Sequence, residues 1–333
     1  MPEIRIDPLS GHRTIVADER SRRPGGAPGL SASERSPEPI DPQRDPFAEG
    51  HEDRTPPELF AVRPGGGPPD TPGWKVRVVP NLYPALAPPG QAERGGEVGE
   101  ADGLFHSLPA TGAHEVIING PQPVLSLAEL PVEQVAVAMD AWRDRMRTHE
   151  QSAYVQLIVN ERREAGASLP HTHSQLYALD FVPAAVARER ERAGAYAART
   201  MGQSLLGDLV AEEVRLRERI VAIDEEAVLM APFASRLPFQ LMLAPRRPVP
   251  RFEQDGPTGA ALLHDGLTRL ARHLGASPPL NMWVRTAPRG AEHFAWRIDV
   301  LPRLTHLAGL ELSTDLNLNI VAPEHAAALL REA

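Results

Sequence analysis

Two imidazoles and a carboxamide recur at every second residue in Gly166-Ala-Ser168-Leu-Pro-His171-Thr-His173-Ser-Gln175-Leu-Tyr. In an extended segment alternate residues share a face, so His171, His173 and Gln175 project together while Thr172 and Ser174 point away. A neutral imidazole near pH 7 is a nitrogen nucleophile. With the Gly-Ala-Ser turn just ahead, the face is polar and ready for an anion. A bare His-x-His is also compatible with strand histidines that face water or are satisfied in the core.

Such a face needs strands to hold it. Tyr154 to Val159 is rich in β-branched and apolar residues and ends at Asn160, which predicts a strand. Glu161 to Pro170 reads as a charged loop punctuated by Gly and Pro, and a second strand runs from His171 to about Val182. Ser126-Leu-Ala-Glu129 reads as a capping box. Val132, Val135, Met139, Trp142 and Met146 then recur at three to four residues, predicting an amphipathic helix to about Glu150. Further strands are expected within Arg5–Ala17, at Trp74–Pro80 before a turn at Asn81, and at Gly112–Asn119. His114 stands at the start of the last of these and reads as structural. Pro24 to Gly73 is dense in Pro, Gly and charge and reads as loop.

The second half repeats the alternation. Helices are expected over Pro183–Arg199, which carries Glu189, and over Leu205–Ile223. Strands follow at Ala227–Ala231 and Phe239–Ala244, a helix at Gly259–His273, and strands at Met282–Thr286 and Trp296–Leu301. The pattern is α+β.

At 333 residues the chain is large enough for one large domain or two ordinary ones. No apolar run approaches the roughly 20 residues needed to cross a bilayer, and the N-terminus lacks the apolar core of a signal peptide. With no cysteine there is neither disulfide nor thiolate ligand, which fits a cytoplasmic location. A net charge of −9 argues against a general nucleic-acid binder, so an anionic substrate needs a local cluster of donors.

The Gly-x-Ser-x-x-His-x-His-x-Gln string resembles the active-site segment of the galactose-1-phosphate uridylyltransferase family of the histidine-triad superfamily. In motif it is nearest to the ADP-glucose phosphorylase-like group. Other landmarks agree in order: Glu19-Arg20-x-x-Arg23-Pro24, Asn81-Leu-Tyr-Pro-Ala, residues 232–240, residues 301–305 and Ala308-Gly-Leu-Glu311. The resemblance implies two histidine-triad-like halves, each an antiparallel sheet with packed helices, divided as 1–200 with the site and 201–333.

It also implies ping-pong transfer between a nucleoside-diphosphate sugar and a sugar 1-phosphate or phosphate. His173 would be the nucleophile that becomes nucleotidylated, with Gln175 and His171 beside it. Arg20, Arg23, Asn81, Asn160, Gly166 and Ser168 would bind the nucleotide and its phosphates, while Glu311 and Asn317 would touch sugar hydroxyls. A phosphorylase or hydrolase with the same nucleophile, or a non-catalytic nucleotide-binding protein, are the alternatives. The implied partners are small molecules, with no nucleic acid and no membrane. A homodimer is a permitted assembly, and nucleobase and sugar stay open.

The departures bear on metals. Zinc positions of the family fall on Asp45, Ala48, about Gln122 and His171, of which only His171 is a good ligand. A second family metal site falls on Glu189, Arg285, Ala295 and Arg297, where two guanidiniums would oppose a cation. No metal and no cofactor are expected. Glu189 is instead expected to pair with Arg285 and Arg297, and His171 with Asp45 or Gln122.

Overall fold

The computed structural model describes residues 2–18, 40–88 and 109–333. The chain opens with an antiparallel pair, β1 (Glu3–Ile6) and β2 (Arg13–Val16). Three strands follow, β3 (Phe60–Val62), β4 (Val76–Pro80) and β5 (Gly112–Ile118), then helix α1 (Val132–Thr148) and strands β6 (Tyr154–Glu161) and β7 (His173–Leu179). Helices α2 (Ala184–Thr200) and α3 (Leu205–Leu216) separate this unit from a second one. That unit has the same succession: β8 (Ile220–Ile223), β9 (Ala227–Met230), β10 (Leu241–Pro245), α4 (Ala260–Leu274), β11 (Leu280–Arg285) and β12 (Arg297–Pro302). Helix α5 (Gly309–Thr314), strand β13 (Asn317–Asn319) and helix α6 (Pro323–Glu332) close the chain.

Both units enter one sheet of ten strands, ordered β3-β4-β5-β7-β6-β11-β12-β10-β9-β8 and antiparallel at every junction. Counted outward from the central β6–β11 pair, the two halves have matching strand order, which is the repeated α+β architecture expected from the sequence. Strand β13 runs parallel to β2, so the first and last strands of the chain form a separate three-stranded sheet.

Helices α1 and α4 contact each other on one face of the large sheet. The apolar stripe of α1 is the cause: Val135, Met139, Trp142 and Met146 are fully buried in a cluster with Leu157 and Leu176 of the sheet. Each such side chain contributes roughly 1.5–3 kcal/mol on leaving water. Because strand residues alternate, His173, Gln175 and Tyr177 of β7 are left to the opposite face.

Four local expectations are corrected, one of them the loop reading of 24–73, whose described part carries β3 in the large sheet. His171 precedes the second strand, which begins at His173. The helix expected over 205–223 stops at Leu216, where Arg217 turns left-handed at φ 59° and its N–H caps Glu213, and Ile220–Ile223 becomes a strand. The segment 5–17 is folded into the β1–β2 hairpin, with Gly11 supplying the positive φ of 77° that its turn requires.

Candidate active site

His173 is 5% exposed, and one hydrogen bond fixes its tautomer. Its Nδ1 lies 2.7 Å from the main-chain carbonyl oxygen of His171, which can only accept. Nδ1 therefore carries the proton and Nε2 holds the lone pair. Burial, the largest influence on this ring, pushes its pKa below the ordinary imidazole value and keeps it neutral at pH 7. Nε2 makes no hydrogen bond with a described residue. Among the described residues, it is also not one of the fully enclosed side-chain atoms that lack a hydrogen bond, which are Arg143 Nε, Arg236 Nε, Thr268 Oγ1 and Arg285 Nε. The edge of Phe47 borders the ring, with centroids 5.2 Å apart.

The carbonyl that orients His173 is itself immobilised. The His171 ring is wholly buried, with Nδ1 2.7 Å from Asp45 Oδ2 and Nε2 2.8 Å from the Gly120 carbonyl. The other Asp45 oxygen accepts the Phe47 N–H at 2.9 Å. From the helix side, Asn119 pins the same stretch. Its Oδ1 accepts from Ser174 Oγ at 2.8 Å and Trp142 Nε1 at 3.1 Å. His171 thus holds the carbonyl that orients the His173 ring, and both of its own ring nitrogens are engaged.

Three of the carboxamides on the His173 face of the sheet, Gln175, Asn81 and Asn160, have their oxygens occupied by the protein. Gln175 Oε1 accepts from His114 Nε2 and from Tyr177 hydroxyl, both at 3.0 Å. Asn81 Oδ1 accepts the Tyr83 N–H at 2.9 Å. Asn160 Oδ1 accepts from Asn281 Nδ2 at 2.8 Å, and Arg303 in turn donates to Asn281 Oδ1 at 3.2 Å. The side-chain NH2 groups of these three are what remains to offer a ligand, that of Asn81 lying 3.1 Å from His114 Nε2. A surface with donors only suits phosphoryl oxygens.

The remaining residues named from the sequence are distributed unevenly. Gly166 adopts φ 93°, but its N–H is spent on Arg163 and that of Ala167 on Arg162, within the turn. Ser168 is exposed and its hydroxyl makes no hydrogen bond with a described residue. Arg20 and Arg23 lie outside the described residues. Glu311 caps α5 by accepting the Ala308 N–H, and buried Asn317 sits on β13, in the small sheet. No described contact joins Glu311 or Asn317 to the His173 cluster.

Sequence reasoning missed His114 and Asn281, which hold Gln175 and Asn160. The parity of β5 put His114 on a definite face, but only the register of His114 opposite Tyr177 reveals that the face is shared with Gln175. Asn281 lies opposite Asn160 across the junction of the two halves, a pairing that no local pattern encodes.

Neither metal position fits a cation. Both ring nitrogens of His171 are engaged, and Glu189 faces Arg297 at 3.0 Å and Arg285 at 3.5 Å in the interior. Burial pushes the Glu189 carboxyl up, yet the two guanidiniums outweigh it and hold the pKa below the usual range. Among the described residues no group of three or more His, Cys, Asp or Glu side chains could hold a metal ion. No described helix is long and apolar enough to cross a membrane.

Residues 1–183 match the galactose-1-phosphate uridyl transferase N-terminal domain, and residues 125–332 match a domain family of unknown function. The chain is 29% identical to an ADP-glucose phosphorylase of Arabidopsis thaliana, over 99% of this chain and 93% of the relative. It is likewise 29% identical to a galactose-1-phosphate uridylyltransferase of Cryptococcus neoformans, over 98% of this chain and 89% of that protein. A crystal structure of an ADP-glucose phosphorylase from Arabidopsis thaliana with bound ADP-glucose superposes with a TM-score of 0.81 at 27% identity, covering 100% of this chain and 99% of the other.

Proposed function

This chain belongs to the galactose-1-phosphate uridyl transferase family, and we propose that it is a nucleotidyltransferase acting on a nucleoside-diphosphate sugar. The observation that carries the reading is the fixed tautomer of His173, with Nδ1–H on the His171 carbonyl and Nε2 left with its lone pair. Nε2 attacks the α-phosphorus while the bond to the β-phosphate oxygen breaks. Sugar 1-phosphate leaves with that electron pair, and a nucleotidyl-histidine remains. Positive charge on the ring is balanced through Nδ1–H and the carbonyl, with no proton lost. A phosphate oxygen of the second substrate then attacks the same phosphorus, the N–P bond breaks, and neutral imidazole returns.

Gln175 donates its NH2 to a non-bridging oxygen as charge builds there, and a neutral donor favours the transition state without clamping the ground state. Asn81 and Asn160 orient the phosphates, with Ser168 and the amide of that residue at the mouth of the turn. Arg20 and Arg23 supply positive charge to the phosphates. Glu311 and Asn317 serve the sugar hydroxyls. The reaction runs without a resident metal, a reading supported by the Asp45–His171 and Glu189–arginine pairs.

The identity of the acceptor separates two forms of the reaction. Similarity over 99% of the chain to an ADP-glucose phosphorylase favours inorganic phosphate as the second substrate over another sugar 1-phosphate. Steady-state kinetics on ADP-glucose and UDP-glucose, with phosphate or galactose 1-phosphate as acceptor, test this. Parallel double-reciprocal lines and release of nucleoside diphosphate with phosphate are expected. Intersecting lines, or turnover unchanged when every acceptor but water is omitted, would overturn the transferase reading.

A further inference from the structure

His114 lies on the β5 strand beside the candidate site, 8% exposed, with its ring stacked on Tyr177 at 4.1 Å. Its two nitrogens are addressed by different groups. The main-chain N–H of Ala85 donates to Nδ1 at 3.1 Å. Nδ1 must therefore hold a lone pair, which in a neutral ring places the proton on Nε2. Burial pushes the His114 pKa down, in keeping with a neutral ring. Among the described residues, the acceptor within reach of Nε2–H is Gln175 Oε1 at 3.0 Å. Asn81 Nδ2, 3.1 Å from the same nitrogen, is itself a donor and receives nothing from it.

We infer that His114 is a positioning residue: through the Ala85-imposed tautomer it fixes the amide of Gln175 so that Nε2, rather than Oε1, faces the phosphoryl group. The Tyr177 hydroxyl, also 3.0 Å from Gln175 Oε1, reinforces the same orientation. Turned the other way, the carboxamide would present an oxygen lone pair to an anionic phosphate and leave the N–H of His114 without its acceptor. A loop amide on residue 85 thereby controls a donor on β7, through a ring that touches no reacting atom.

This inference rests on the proposed nucleotidyl transfer, so its test has an arm that does not need turnover. His114→Phe keeps a flat ring for the Tyr177 stack and removes the donor. Expected is a fall in kcat of roughly ten- to a hundredfold with KM for the nucleotide sugar little changed, as for a lost transition-state donor. The same change in a Gln175→Ala background should cost almost nothing more, because both act through one contact. Multiplying effects in that double-mutant cycle, or an unchanged kcat in the single variant, would overturn the role. Independently, the side-chain NH2 resonances of Gln175 should shift in His114→Phe and in Tyr177→Phe, with the remaining amide spectrum preserved. Unmoved Gln175 resonances would overturn the inference even if the protein transfers no nucleotide. Absent turnover with moved resonances would fault the reaction and spare the positioning.

Discussion

Asp45 and His171 meet at 2.7 Å, a carboxylate oxygen against Nδ1, with side-chain exposures of 1% and 0%. They join the loop before β3 to the start of β7, 126 residues apart in sequence. The pair holds the segment whose carbonyl sets the tautomer of His173. Removing one partner of such a buried pair leaves the other uncompensated, at a cost of about 3–5 kcal/mol. Asp45→Ala should therefore lower the urea midpoint sharply, whereas Asp41→Ala, at an exposed position, should change it little. Equal midpoints for the two variants would show that the pair is not a structural link.

The second ion cluster makes a prediction about metals. Glu189 sits between Arg297 and Arg285, and Arg297 also meets Asp299 at 3.0 Å. Two guanidiniums, matched by two carboxylates, thus occupy this place in the chain. Purified protein is expected to hold no stoichiometric zinc or iron by elemental analysis, and chelators should leave its melting temperature and activity unchanged. Glu189→Gln should destabilise by about 3–5 kcal/mol, since it takes the carboxylate from buried Arg285 and leaves Arg297 with Asp299 alone. The pKa of this carboxylate is depressed in the folded state, so its contribution is present above the unfolded value and is lost as pH falls through the folded one. The variant should therefore lose less stability on acidification than the parent, and a steeper loss would contradict the assignment.

Much of this architecture was legible in advance. The three-to-four spacing from Val132 to Met146 marked α1 and its buried stripe, and the alternation around His173 placed His173 and Gln175 on one face. What could not be read was long-range. Strand pairing across the β6–β11 junction, the return of β13 to β2, and the tautomer imposed on His114 by Ala85 all depend on contacts far apart in sequence. The helix end at Leu216 was hidden for another reason. The residue that turns left-handed there is an arginine, with no Gly or Asn to signal the stop.

Asn281 offers a test of how the second half serves the first. Its Nδ2 donates to Asn160 Oδ1 and to the Ala165 carbonyl at 2.7 Å, tying the amide and the turn together. Asn281→Leu fills similar space and removes both bonds. A kcat reduced by roughly tenfold or more is expected, given that losing one such donor in a transition state costs on the order of 3 kcal/mol. A change confined to thermal stability would place Asn281 in the fold alone.

Glu161 supplies a pH signature separate from catalysis. The carboxyl is fully buried at the end of β6, and burial raises its pKa to about 7 despite donation from Ser126 Oγ at 2.6 Å and the Leu127 N–H at 2.7 Å. A raised folded pKa means stability that is full below the unfolded value, 4.5, and is lost as pH rises towards about 7. The loss should be on the order of 3 kcal/mol between those limits. Glu161→Gln should flatten that slope in melts recorded from pH 5 to 8. An unchanged slope would mean that other groups set it.

The central claim is that His173 Nε2 takes the nucleotidyl group. Intact-mass analysis after brief incubation with ADP-glucose or UDP-glucose, quenched at alkaline pH because phosphohistidine is acid-labile, addresses it directly. A mass gain of one nucleoside monophosphate residue is predicted, mapped to residue 173, absent from His173→Ala and discharged by adding phosphate or sugar 1-phosphate. An adduct that persists in His173→Ala, or turnover in the parent protein with no adduct at any time point, would contradict the account.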